Sequence, residues 1–123
     1  MTTALAVKKS INTPDEVREI ENCTIEMVEL GDVVFGRMTA RPGWSWSSSV
    51  KPIAQTETCE FGHFMYVQSG SLHIKMDDGS ELDVTAGDVV VIAPGHDAWV
   101  VGDEPCVMID FGGDDKDYAK PKS

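Results

Sequence analysis

His63 and His96 are the residues whose type offers the most direct chemistry, because neutral imidazole is the commonest metal ligand in proteins. A metal site needs three or four donors converging on one point. Cys59 and Glu57, four and six residues before His63, are the third and fourth candidates. A set containing Cys and His favours zinc or iron, whereas an oxygen-rich set favours manganese. The opposing reading makes His63 a hydrogen-bonded core histidine and His96 a solvated loop residue. Cys59 admits a second chemistry, since a thiolate stabilised by a nearby imidazolium is a nucleophile. The plainer reading is a small buried hydrophobe, which most free cysteines are.

Trp44, Trp46, Trp99 and Tyr66 either wall a pocket for a small, flat or apolar ligand or form an aromatic layer in the core or at a dimer interface. Lys51 either anchors a ligand carboxylate or is a plain surface lysine. His73 alternates with Leu72 and Ile74, which assigns it to an outer face away from any site. Asp77, Asp78 and Asp88 fall in turns, where Asp is expected for backbone hydrogen bonding. No carboxylate pair stands out as a general acid and base, and no Ser-His-Asp set with a nucleophile elbow is present. The glycines sit at turns and form no phosphate loop.

The elements that would position these residues are short strands. From Thr24 onward the apolar period is two: Val33, Phe35 and Arg37 alternate with Val34, Gly36 and Met38, and Trp44 and Trp46 share one face. His63–Val67 is a short apolar stretch. Leu72, Ile74 and Met76 read as a half-buried strand, Asp77-Asp78-Gly79 as a hairpin turn, and Leu82 and Val84 as the return. Thr85-Ala86-Gly87-Asp88 turns the chain into Val89–Ile92, a continuous apolar run suited to burial on both faces. Ala93-Pro94-Gly95 turns it again, before strands at Trp99–Val101 and Val107–Phe111. Turns every 8 to 12 residues predict an all-β sandwich or barrel. Thr13-Pro14-Asp15-Glu16 predicts a short helix, with Thr13 as cap and Pro14 in the first turn.

The charge balance is 10 Lys+Arg against 21 Asp+Glu, a formal net charge of -11. That argues against nucleic acid and anionic membrane as partners, since both need clustered basic residues. No apolar run approaches the ~20 residues of a bilayer span. The opening Met1–Val7 precedes Lys8-Lys9 instead of following it, unlike a secretory signal. The three cysteines are odd in number and form no C-x-x-C pair, which fits reduced thiols in a cytoplasmic protein.

The stretch from Gly70 to Trp99 resembles the cupin superfamily of small jelly-roll barrels. Gly87-Asp88, a hydrophobic strand, Pro94-Gly95 and the nearby His96 are similar to the family's second motif. That motif places its histidine three residues after the glycine, where this chain has Ala98. His96 lies two residues earlier, and strand alternation points it to the same face. The family's first motif ends in a Glu that precedes a turn glycine by six intervening residues, and counting back from Gly70 puts His63 at that Glu. The two preceding family histidines then map to Glu57 and Cys59. Counting forward from Pro42-Gly43 maps them instead to Ser49 and Lys51, with an insertion before His63. On either alignment the three-His-plus-Glu set is not intact.

The resemblance covers about Gly31 to Phe111 and is nearest to small, cupin 2-like proteins. It implies an all-β, cupin jelly-roll β-barrel or sandwich as a single domain. The expected organisation is an N-terminal segment at 1–23, the cupin unit at 24–111 and a flexible polar tail at 112–123. It further implies an interior cavity, a divalent metal ion (zinc, iron, nickel or manganese) near His63 and His96, and a homodimer paired through outer-sheet or edge-strand contacts, with Thr24–Leu30 as the natural element to pair. The function implied is small-molecule binding, in its catalytic form a metal-dependent oxygenase or isomerase acting on a small metabolite. The alternative is a metal-free ligand-binding or regulatory module, supported by the broken metal motif.

Overall fold

The computed structural model describes residues 6–111 except Asp32 and Glu60, so the polar tail expected at 112–123 lies outside the described residues. Among the described residues nine strands occur in order: β1 (Glu16–Ile20), β2 (Cys23–Leu30), β3 (Val33–Ala40), β4 (His63–Ser69), β5 (Ser71–Met76), β6 (Glu81–Thr85), β7 (Val89–Ile92), β8 (His96–Val100) and β9 (Cys106–Asp110). They form two antiparallel sheets, one ordered β1-β2-β3-β9-β4-β7 and one ordered β6-β5-β8. The result is a jelly-roll sandwich.

The period-two pattern is what closes the core. Along β5, Leu72 and Ile74 are buried while His73 is only partly covered; along β9, Cys106, Met108 and Asp110 all face inward. Burying side chains of this size contributes about 1.5–3 kcal/mol each. The β5–β6 hairpin forms at Asp77–Ser80 as the turn residues predict, with the Asp78 carboxylate accepting from the Ser80 amide at 2.9 Å. Between β4 and β5 the chain leaves one sheet for the other at Gly70. Its φ is +78°, and a Cβ there would stand 2.3 Å from the Pro105 carbonyl oxygen, so only glycine fits this corner.

Four sequence expectations are corrected. The short helix at Thr13–Glu16 is absent: β1 occupies Glu16–Ile20, each residue pairing with β2. Val17 and Ile20 offer too narrow an apolar stripe to hold a helix, whereas the edge of β2 offers backbone partners. The strand expected around Trp44 and Trp46 is instead a single bridge at Ser45, a π-helical turn at Trp46–Val50 and the short α1 (Lys51–Ala54). Ser45 starts that turn, its hydroxyl accepting from the Ser48 amide at 3.1 Å, a local bond that competes with strand pairing. Both indoles are nevertheless buried.

Val89–Ile92 is not covered on both faces. As β7 it is an edge strand, with Val90 and Ile92 inward and Val89 and Val91 exposed. Finally, β2 is paired along one edge by β1 and along the other by β3, so it has no free edge to offer a partner at Thr24–Leu30.

Candidate metal centre

Backbone pairing brings the site together before any side chain is considered. Cys59 and His96 form an isolated β-bridge: the Cys59 amide donates to the His96 carbonyl at 2.8 Å, and the Gly95 amide to the Cys59 carbonyl at 2.7 Å. Gly95 has φ +91°, the left-handed region that favours glycine, and the atom a Cβ would meet, at 2.8 Å, is the movable end of the Asp77 carboxylate. His96 opens β8 and shares its inward face with Ala98 two residues on, as alternation requires. His63 opens β4 opposite Ile92.

Cys59, His63 and His96 consequently offer ligand atoms that all lie within 4.8 Å of one another. The Cys59 sulfur is 3.7 Å from His63 Nε2. Zinc–sulfur and zinc–nitrogen bonds of ~2.3 and ~2.05 Å at a tetrahedral angle separate their donors by about 3.6 Å, so this pair fits a shared ion. The other ring nitrogens are engaged elsewhere. His63 Nδ1 donates to Asp110 Oδ2 at 2.7 Å, and His96 Nδ1 donates to the Ala93 carbonyl at 2.8 Å. Both imidazoles are therefore held with Nε2 available for ligation, the outer support that ligating histidines usually have.

The site is electrostatically coupled. Burial would push the Cys59 thiol up, but hydrogen bonds and positive charge from His63 and His96 outweigh it and bring it down to about 7. Burial would likewise push His63 down, and the Asp110 carboxylate with the Cys59 sulfur reverses that, raising it to about 10. Without metal the three groups therefore favour a protonated His63 between the Asp110 carboxylate and a Cys59 sulfur that ionises near neutrality. Cys23 and Cys106 differ: burial pushes their thiols up to about 12 and about 11, as expected of packing residues.

A cavity of about 40 Å³ adjoins the cluster. Its wall includes Trp44, Trp46, Met27, Met38, Met65 and Met108, with Arg37, His63, His96 and Asp110 as polar or charged members.

Not every sequence candidate reaches this place. Glu57 points to solvent, its side chain 94 % exposed and bonded to Lys51 at 3.2 Å, so that ion pair sits at the surface and neither residue lines the cavity. Tyr66 faces outward from β4, because alternation gives the inward positions to Met65 and Val67. Trp99 packs on His73 across the β5–β8 pair, ring centroids 4.8 Å apart, outside the cavity. The residue missed is Asp110. It shares the parity of Cys106 and Met108, and an acid on an otherwise apolar strand face was the available signal. Across the sheet it stands opposite Gly36, which adds no side chain there.

The family model described as "Cupin" matches residues 24–119. No curated protein matches the sequence significantly. Among solved structures, the polyketide cyclase RemF from Streptomyces resistomycificus is similar at 17 % identity and TM-score 0.60, covering 86 % of this chain and 78 % of that one. KdgF from Halomonas sp. is 17 % identical with TM-score 0.55, covering 82 % and 90 %. An RmlC-like cupin from Shewanella frigidimarina is 19 % identical with TM-score 0.53, covering 77 % and 79 %. At these identities the likeness is one of fold.

Proposed function

Given that this chain belongs to the cupin family, we propose that it is a small-molecule-binding protein whose Cys59, His63 and His96 hold a divalent metal ion beside an apolar cavity. The observation that carries this reading is the convergence of three ligand atoms within 4.8 Å. The donors are one sulfur and two imidazole nitrogens, a set suited to zinc, iron or nickel, with manganese disfavoured for want of oxygen donors. When bound, the ion supplies a Lewis acid or an oxygen-binding centre, the chemistry of an oxygenase or isomerase.

The chain's own residues do the rest. Asp110 keeps the His63 proton on Nδ1 and the Ala93 carbonyl does the same for His96, which presents both Nε2 lone pairs inward. Trp44, Trp46 and the methionines give most of the wall an apolar character suited to a small ligand of few atoms. Asp110 also offsets charge: with the Cys59 thiolate it balances a divalent ion, so the buried assembly is neutral.

Metal analysis of protein purified without added metal, and again after reconstitution, tests the reading. The expected result is about one ion per chain, lost in the His63→Ala, His96→Ala double variant. Wild-type protein that takes up no stoichiometric metal even on reconstitution sinks it. In that case the metal-free ligand-binding module stands, supported by the way Cys59, His63 and Asp110 already satisfy one another.

A further inference from the structure

Trp44 carries a hydrogen-bond donor that nothing in the described chain answers. The residue is 2 % exposed, and among the described residues its indole Nε1 has no hydrogen-bond partner. An indole N–H can only donate, and a buried tryptophan usually bonds it. Close packing and a backbone held on both sides keep the ring in place. The Trp44 amide donates to the Arg41 carbonyl at 2.9 Å, and the Trp44 carbonyl accepts from the Val100 amide at 3.1 Å. Trp44 is also part of the wall of the cavity that His63 and His96 line.

We propose that this donor is a recognition group: the cavity receives a small neutral carbonyl compound whose oxygen accepts from Trp44 Nε1. The proposal rests on the small-molecule reading above and not on the metal. The wall's other polar side chains are engaged elsewhere. His63 Nδ1 pairs with Asp110 at 2.7 Å, His96 Nδ1 with the Ala93 carbonyl at 2.8 Å, and Arg37 grips Glu26 with two bonds of 2.9 and 3.1 Å. The same pairings set Glu26 against Arg37 and Asp110 against His63, so an anionic ligand would be buried without a counter-charge of its own.

Ser49 Oγ is the other buried side-chain atom without a partner among the described residues, and it is not part of the wall. The wall thus offers an unpaired donor and no buried, unpaired side-chain acceptor. A carbonyl oxygen matches that better than a hydroxyl, whose own proton would need an acceptor. A water in the same place would want two to four polar partners. At ~10–15 Å³ for each water-sized group, about 40 Å³ holds roughly three to four non-hydrogen atoms. The methionines of the wall can adapt to the apolar remainder of such a molecule.

Acetone, acetate and isobutene test the proposal, because they share one branched planar shape and carry a neutral acceptor, a charged acceptor and none. Each is titrated into the full chain and followed by proton–nitrogen correlation NMR of the indole groups, with metal content measured on the same preparation. Acetone is expected to bind saturably at millimolar concentration and to move the Trp44 indole proton downfield. Isobutene should enter without that shift, and acetate should not bind. In Trp44→Phe the affinity for acetone relative to isobutene should fall about three- to tenfold. A purely structural loss of packing lowers both affinities together and leaves this ratio unchanged. An unchanged ratio overturns the proposal, and so does acetate bound in preference to acetone. A wild type that holds metal yet takes up no acetone overturns it while the metal reading stands; acetone bound without metal supports it while that reading fails. Should Trp44→Phe not fold, the wild-type indole shift decides. An indole proton that moves in Ser49→Ala and stays put with acetone overturns the proposal, since the serine hydroxyl is then its acceptor.

Discussion

Replacing Asp110 by Asn gives two opposed effects on metal affinity, and their balance changes with pH. In the metal-bound protein the carboxylate orients His63 through a 2.7 Å bond, and losing such a partner costs roughly 10–100-fold in affinity. In the metal-free protein the same carboxylate helps keep His63 protonated up to about 10, and that proton must leave before Nε2 can ligate. At pH 7 the distance to about 10 weakens wild-type binding by roughly 10³, a penalty that shrinks tenfold per pH unit. In Asp110→Asn, burial works against the charged imidazole and much of this competition is gone.

Apparent zinc affinity, measured by competition with a chelating indicator across this range, is therefore expected to climb with pH in both proteins, because the Cys59–His63 pair must shed its proton, and to climb more steeply in wild type, where Asp110 holds that proton harder. The variant binds more tightly near neutrality and more weakly near pH 10, with the curves crossing between roughly pH 8 and 9. The stability of the metal-free fold follows the same shift. The contribution of the raised His63 is fully present below its ordinary value of 6.5 and is lost as pH rises through about 10. Two parallel affinity curves at a constant offset would refute the proton competition. Identical curves would refute the pairing of Asp110 with His63 as a support of the site.

Two further outcomes follow from the same geometry. In metal-free protein, the ultraviolet absorbance of thiolate should show one sulfur ionising near pH 7, absent in Cys59→Ser and pinned as thiolate at lower pH by zinc, because only Cys59 is brought down while Cys23 and Cys106 are pushed up. Titration of all three thiols together near pH 9 would contradict it. Gly70→Ala should lower stability by about 2–4 kcal/mol through its positive φ and the close Pro105 carbonyl. A urea midpoint unchanged from wild type would show that the corner relaxes without cost.

The sandwich was legible because period two and the turn residues carry most of it. Leu72, Ile74 and the Asp77–Gly79 turn specify β5 and its hairpin from local pattern alone. The misread places are those where tertiary partners decide. Glu16–Ile20 has no strong strand pattern and becomes β1 because β2 has an edge to fill. The Trp44–Val50 segment has a strand-like alternation that serine hydroxyls divert into a π-helical turn. Val89–Ile92 reads as doubly buried because four successive apolar residues cannot reveal which sheet position they will occupy.

For the site, ligand type was readable and ligand choice was not. Glu57 and Cys59 share a parity before His63, so spacing alone could not separate them. The separation comes from the bridge between Cys59 and His96, which holds the Cys59 backbone against the strand that carries the second imidazole. Glu57 lies two residues outside that bridge, within reach of Lys51, and is lost to solvent. Asp110 arrives from the opposite end of the chain, on a strand that meets His63 only because β9 lies between β3 and β4. Three short-range facts, the bridge, the Gly95 turn and the parity of β9, thus converge on one buried point. A substitution that shifts any of them should disturb the ligand set without touching a ligand, as Asp110→Asn does through His63 alone.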